Sequence, residues 1–426
     1  MRGGERRPRV EQRKMMTGRR PEDYTVEIGP MGPIGEGESL LLRVNRNCPW
    51  NQCLFCPVYK GKRFATRSLS EIKGDIEATH RVCDLFEVAS QGVGPSGAIG
   101  KEVIEALIRN YPEIYGEYPL KVTKEQWLAV QSLSHIANWL INGARRVFLQ
   151  DANALFMKPG DLVEVLQFLK KRFPTIDTIT CYARSKTCAQ RSPEELRELK
   201  DTGLSWCLVG LESGCDEALD YMRKGAKKGE HIAGGQKIMD AGINMAAFVM
   251  PGLAGNNRDL CEKHILETIQ VLNEIRPTEV RVRSLAILEL APLYRKWESG
   301  EFGAPSEDQM IAEFRRLLEG LTFGCTIETF QMTNVFTTKG PLSAKRDILL
   351  ERIDRYQALS LKGRARFLLD RYLYDGYLAC VKSWGEYDSR LRAVIEEAEI
   401  SLGGQSDDAM EKAERAIFAM KAKGIP

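Results

Sequence analysis

The sequence has no apolar run approaching the length of a membrane-spanning helix. Its first residues lack the apolar stretch of a secretory signal. The expectation is a cytoplasmic protein with no membrane partner. A disulfide framework is missing too, because 11 cysteines in 426 residues are too thinly spread for a stapled secreted scaffold. In a reducing compartment such cysteines are metal ligands or buried thiols. No internal repeat is evident. The most telling absence is local. Cys48, Cys53 and Cys56 stand in the run Asn47-Cys48-Pro49-Trp50-Asn51-Gln52-Cys53-Leu54-Phe55-Cys56, spaced Cys-x4-Cys-x2-Cys, with no fourth cysteine close by. A structural zinc site or a closed iron–sulfur site wants four protein ligands. Three thiolates on a four-iron cluster leave one iron open to a small molecule.

What is present fits a soluble globular chain. It is 43% hydrophobic and 28% charged, ordinary values, with length for one large domain and a smaller one. The net charge of +3 hides an asymmetry. Residues 1–20 carry eight Arg or Lys against Glu5 and Glu11, leaving 53 basic against 56 acidic residues elsewhere. A basic leader of this kind can touch nucleic acid. The preferred reading is a flexible leader, or a start placed too early, since Met15 and Met16 follow.

Short apolar runs rich in Val, Ile, Leu and Phe read as buried parallel strands at 40–46, 146–150, 176–182, 205–211, 244–250 and 279–288. Helical patterns lie between them. Ser192-Pro193-Glu194-Glu195 is a helix start with a capping box, and Gly203 and Gly242 end their helices. Repeated strand–helix units imply a parallel sheet with right-handed crossovers. The fold class expected is α/β: a partial (β/α)6 TIM-like barrel at 38–302, after a leader at 1–37, with a helical C-terminal region at 303–426. Strands are expected to stop near residue 303, and 326–342 reads as irregular. Residues 91–97, rich in glycine, read as a loop.

In α/β barrels functional groups gather at the C-terminal ends of strands. The cysteine run follows the first strand, Asp151-Ala152-Asn153 the second, Arg184 the third and Glu212-Ser213-Gly214 the fourth. Pro251-Gly252-Leu253 follows the fifth and Glu289 the sixth.

On these motifs, with Met222-Arg223-Lys224-Gly225 and Val249-Met250-Pro251-Gly252-Leu253, the chain resembles the radical S-adenosylmethionine (radical SAM) enzymes over roughly residues 38–300. Within them it is similar to the branch of oxygen-independent coproporphyrinogen oxidases and the elongator catalytic subunit. The resemblance implies that Cys48, Cys53 and Cys56 hold a 4Fe–4S cluster whose open iron chelates SAM. An electron, supplied by a donor such as flavodoxin or ferredoxin, then cleaves SAM to a 5′-deoxyadenosyl radical that takes hydrogen from the substrate. It places Phe55 beside the adenine and Asp151, Ala152 and Asn153 at the methionine amino group. Glu212 and Ser213 fall at the ribose, and Arg184 or Arg223 at the SAM carboxylate. Gly252 would allow close approach of backbone to ligand.

The chain departs from that pattern twice. Its first cysteine gap is one residue longer than the commonest spacing. It also has Phe330-Gln331 and Asn334-Val335-Phe336 where relatives of similar layout often carry Asp-His and then Asn-Leu-Leu. The substrate, small or macromolecular, is not identified; no cobalamin-binding or RNA-binding module is recognisable. Two alternatives stand beside the enzyme. One is a non-catalytic carrier or chaperone that binds the cluster, SAM or haem. The other is an RNA-modifying enzyme.

Plainer readings compete at single residues. Zinc is the alternative for the triplet, with His80 or Cys83 as fourth ligand. Cys181, Cys188, Cys207 and Cys215 read as buried thiols, and Cys83, Cys261, Cys325 and Cys380 as core. Glu212 has the alternative of capping a helix near Asp216, and Arg223 and Lys224 that of plain helix-terminal cations. The aromatic and basic positions from Arg352 to Trp384 have mostly helical spacing, which favours a packing face over nucleic acid.

Overall fold

The computed structural model describes residues 18–30, 32, 35–90, 99–378, 388–404 and 408–424. The basic leader through residue 17, the glycine-rich 91–97, Cys380 and Trp384 lie outside the described residues. The chain forms two compact units, each assembled from separate stretches: 1–46, 66–151 and 157–180 in the first, 47–65, 152–156 and 181–426 in the second.

The first unit contains β1 (Leu40–Arg43), α1 (Leu69–Ser90), α2 (Lys101–Asn110), α3 (Pro112–Tyr115), α4 (Lys124–Ile141), β2 (Arg146–Gln150) and α5 (Pro159–Arg172). β1 and β2 run parallel, Leu40 opposite Val147 and Arg43 opposite Gln150. Helix α4 begins where Thr123 and Gln126 satisfy one another's backbone amides in a capping box. It buries Leu133, Ile136 and Trp139, while α1 buries Ile72, Ile76, Val82 and Phe86, the i, i+3, i+4 spacing that lays one helix face on a core. Each such side chain contributes roughly 1.5–3 kcal/mol.

β3 (Thr178–Ala183) starts in the first unit and ends in the second. The second unit continues with α6 (Ser185–Gln190), α7 (Pro193–Thr202), β4 (Leu204–Glu212), α8 (Asp216–Tyr221), α9 (Lys228–Asp240), β5 (Asn244–Val249), α10 (Arg258–Ile275) and β6 (Glu279–Val282). Then come α11 (Pro292–Glu298), α12 (Glu307–Gly320), β7 (Thr326–Glu328), β8 (Lys339–Pro341), α13 (Leu342–Gln357), α14 (Leu361–Tyr372), α15 (Ser389–Gly403) and α16 (Ala409–Ala422). The sheet positions follow chain order. β4, β5, β6 and β7 pair in parallel, and β8 returns antiparallel to β7. This is the expected α/β class, a partial barrel followed by a helical C-terminal region.

One expectation is corrected: the strands do not stop near residue 303. β7 joins β6 with Glu279 opposite Thr326, and β8 pairs with β7 inside the stretch read as irregular. Both are three residues long, too short to carry a pattern, and β8 is Lys-Gly-Pro with no apolar residue but proline. The sixth strand is also shorter than its apolar run, ending at Val282. The start of α7 is as read: Ser192 Oγ accepts from the Glu195 amide at 3.1 Å, and the Glu195 carboxylate accepts from the Ser192 amide at 3.0 Å. Gly203 (φ +123°) closes the helix. No helix among the described residues is long and apolar enough to cross a membrane.

Candidate metal centre

The three cysteines come from one loop of the second unit. Asn47 and Asn51 take left-handed backbone conformations (φ +68° and +48°), which asparagine tolerates better than most residues. Their side chains fold the loop on itself: Asn47 Nδ2 donates to the Arg63 carbonyl at 2.6 Å and Asn51 Nδ2 to the Tyr59 carbonyl at 2.5 Å. Main-chain bonds hold Leu54 on two sides. Its amide donates to the Met222 carbonyl at 3.0 Å, and its carbonyl accepts from the Leu293 amide at 2.9 Å. The Leu54 side chain, 4% exposed, packs with Met222, Met250, Leu253, Leu285 and Leu293. Cys48, Cys53 and Cys56 are free thiols, each partly exposed.

β4 brings a carboxylate to this loop. A bulge between Gly210 and Glu212 breaks its register, and Glu212 sits at φ +65°. A bulge of this kind re-aims the following side chain. The Glu212 carboxylate meets Lys224 Nζ at 3.0 Å, each side chain 11% exposed. Gly210 makes room for the pair: a Cβ there would lie 2.4 Å from Glu212 Oε1 and 2.8 Å from Lys224 Nζ. The lysine follows Arg223, whose φ of +52° turns the chain at the end of α8. Its ammonium is 6.0 Å from the centre of the Phe55 ring.

Arg184 and Trp50 form the neighbouring wall. The Arg184 guanidinium lies 5.1 Å from the Trp50 ring and donates to the carbonyls of Lys224 (2.8 Å) and Gly225 (3.0 Å). The Trp50 indole N–H donates to the Arg223 carbonyl at 2.7 Å. Gly225 (φ +64°) is obligatory here, since a Cβ would lie 2.3 Å from two Trp50 ring carbons.

Charge ties these groups together. Burial pushes the Cys53 and Cys56 thiols above their ordinary range, and Lys224 opposes that rise at both. Burial alone would depress Lys224, but Glu212 and Cys53 outweigh it and hold the ammonium above its ordinary value. Cys48 and Cys53 in turn act on the Arg184 charge. Thiolate ligands need a metal or a nearby cation to stay deprotonated. Three thiols on one loop beside a buried lysine and a half-buried arginine are therefore a donor set that fits an anionic iron–sulfur cluster. Among the described residues no three His, Cys, Asp or Glu side chains converge on a point that would hold a single metal ion.

The remaining expected site residues are placed as follows. Asn153 is buried, its Nδ2 donating to Thr187 Oγ1 at 2.8 Å and its Oδ1 accepting from the Arg184 amide at 3.2 Å, so it fixes the start of α6. Ala152 beside it is partly exposed. Asp151 belongs to the first unit, where its fully buried carboxylate receives Arg43 at 2.6 and 2.9 Å. Ser213 Oγ is 2.7 Å from His264 Nδ1 and accepts from the Cys215 amide; burial lowers His264 to about 4, so the ring is neutral. Gly252 (φ +85°) donates its amide to Glu313 at 2.7 Å, and its Cβ position is closed off by Met310 and Pro305. The Arg223 side chain is exposed. Of the departures, Phe330 is 49% exposed, whereas Asn334 is buried, donating to the Val282 and Thr329 carbonyls and accepting from the Ser284 amide.

Two groups here were not among the expected site residues. Lys224 reads from sequence equally well as a helix-terminal cation, and nothing in the sequence singles out Trp50. The sequence signal nearest to both was Gly225, which the structure shows to be required by its left-handed backbone and by the Trp50 ring against it.

No family model matches the chain. Two curated proteins, each named tRNA uridine(34) acetyltransferase, are similar to it. The one from Methanocaldococcus infernus is 24% identical over 120 residues, 28% of this chain. The one from Methanocaldococcus jannaschii is 22% identical over 129 residues, 29% of this chain. The match spans only 22% and 24% of those proteins' own lengths. Among solved structures the chain is similar to Methanocaldococcus infernus Elp3 with an N-terminal deletion, at 14% identity and TM-score 0.38, covering 50% of this chain and 55% of that one. It is likewise similar to the radical S-adenosylmethionine methyltransferase TsrM from Kitasatospora setae, at 13% identity and TM-score 0.38, covering 63% and 41%.

Proposed function

We propose that this chain is a radical SAM enzyme in which Cys48, Cys53 and Cys56 hold a 4Fe–4S cluster. The observation that carries the reading is the grouping of three thiols with the Glu212–Lys224 pair and Arg184 inside one unit. When bound, the cluster, reduced by one electron from a donor such as flavodoxin or ferredoxin, would cleave SAM to methionine and a 5′-deoxyadenosyl radical. The protein's own contribution is to bind, orient and exclude water. Lys224 offsets the negative charge of the thiolates. Glu212, held at one oxygen by Lys224, offers its other oxygen to the ribose hydroxyls, and Phe55 offers a face to the adenine. Arg184, fixed by two carbonyls and the Trp50 ring, places a positive charge for the SAM carboxylate.

The test is anaerobic reconstitution with iron and sulfide. The wild-type protein is expected to bind both and, once reduced with SAM, to release 5′-deoxyadenosine; Cys53→Ala is expected to lose iron and sulfide. Unchanged iron and sulfide content in that variant would sink the cluster assignment. A second reading, RNA as the substrate, is favoured only by the names of the curated relatives. It requires salt-sensitive RNA binding that falls when residues 1–20 are removed.

A further inference from the structure

The second unit holds a cavity of about 560 Å³, within the range of small-molecule sites. The loop after β6, helix α11 and the ends of α12, α15 and α16 line it, and it opens to solvent. It adjoins the cysteine loop through the main chain, because α11 opens with Leu293 donating to the Leu54 carbonyl. One wall is aromatic. The Tyr294 and Trp297 rings are 5.2 Å apart, and Trp297 and Phe418 are 4.2 Å apart, centre to centre. Leu285, Ile287 and Met310 complete an apolar surface.

The charges at this cavity are not equivalent. Lys421 pairs with Glu307, whose other oxygen accepts from the Tyr372 hydroxyl at 2.8 Å. Lys423 pairs with Glu289 and Asp388, and Arg415 with Glu397. Arg390 is exposed at the N-terminal end of α15. Glu414 is different. One of its oxygens accepts from the Glu307 amide at 3.2 Å, and among the described residues it forms no salt bridge with any cation. Burial, and after it the charges of Glu307 and Asp308, push its acid up to about 7 against the hydrogen bond from the Glu307 amide and the weaker pull of Lys421. The field at this carboxyl is therefore negative. An incoming cation relieves it, whereas an incoming anion worsens it.

We propose that this cavity binds an organic amine, its ammonium between the Glu414 carboxylate and an outer face of the packed Trp297–Phe418 pair and its apolar body against Leu285, Ile287 and Met310. Aromatic faces with a carboxylate are a recurring device for ammonium recognition, because ring quadrupole and formal charge attract the same ion. That the amine is the molecule losing hydrogen rests on the radical SAM reading; the binding itself does not.

The probes are benzyltrimethylammonium, its neutral isostere neopentylbenzene, and phenylacetate, titrated into the full chain and followed by tryptophan fluorescence. The fixed cation is expected to bind about tenfold tighter than its isostere at about pH 8, and phenylacetate more weakly than either. That preference should fade towards about pH 6, as Glu414 takes up its proton with Glu307, Asp308, Lys421, Arg390, Arg415 and Lys423 as the charged groups around it. Glu414→Gln should abolish both the preference and its pH dependence while leaving the isostere's affinity unchanged. Equal binding of cation and isostere, tighter binding of phenylacetate, or a preference surviving in Glu414→Gln would overturn the proposal. The wild-type pH series decides the matter even if the variant does not fold. No reconstitution is involved, so amine binding without 5′-deoxyadenosine formation would refute only the enzyme reading.

Discussion

Lys224 and Glu212 are the pair most open to quantitative test. Their charges are 3.0 Å apart and almost wholly out of water. At an effective dielectric of about 20, Coulomb's law gives about 5 kcal/mol of attraction, most of which offsets the cost of dehydrating both ions. The asymmetry comes from removing one partner. Lys224→Met leaves a carboxylate buried with Gly210 behind it and the Cys53 thiol near it, a change that typically costs 3–5 kcal/mol. Glu212→Gln leaves the ammonium beside Arg184, which already acts on it unfavourably. Denaturant unfolding read at tryptophan is expected to show a loss of about 3 kcal/mol for each single variant. The double variant should lose no more than about 4 kcal/mol, a coupling of about 2 kcal/mol. If the two losses add to within about 0.5 kcal/mol, the side chains do not depend on one another and the charge argument fails.

Two further outcomes are expected. Gly225→Ala puts a methyl group into the Trp50 ring at a left-handed position; it should cost at least about 2 kcal/mol and lower the iron retained after reconstitution, with normal retention counting against the Trp50–Arg184 wall. Glu414 makes stability pH-dependent. Its acid is raised from 4.5 to about 7 in the folded chain, so the folded state holds the proton that the unfolded state releases. The stabilisation is complete below about pH 4.5 and is lost as pH rises to about 7, of the order of 2 kcal/mol after allowance for solvent screening. Glu414→Gln should flatten that decline. An identical decline in the variant would assign it elsewhere.

The parts of the fold legible in the sequence are those whose residues answer to their own neighbours. The runs at 146–150 and 244–250 are apolar because a parallel strand is covered on both faces, and both strands are where they were read. Ser192-Pro193-Glu194-Glu195 carries its whole capping geometry within four residues. β7 escaped because Ile327 is its one fully apolar residue, and its burial comes from β6, far away in sequence. The site was legible as to residue type but not orientation. A lysine after an arginine at a helix end reads as a dipole partner; only the left-handed turn at Arg223 makes Lys224 a buried ion. Gly252 reads as a place where the backbone can approach a ligand; in the structure the space a Cβ would fill there is taken by Met310 and Pro305.

The two hydrogen bonds on Leu54 have a consequence for how this loop tolerates change. Both run through the main chain, from the Leu54 amide to Met222 and from the Leu293 amide to Leu54. Any amino acid but one supplies the same groups, so the middle of the cysteine loop is anchored by atoms that almost no substitution can remove. The exception is proline, which has no amide to give at positions 54 and 293. The loop can therefore drift in side chains while keeping its place, and the residues lining its surroundings are free to be retuned without the frame of the cysteine loop moving with them.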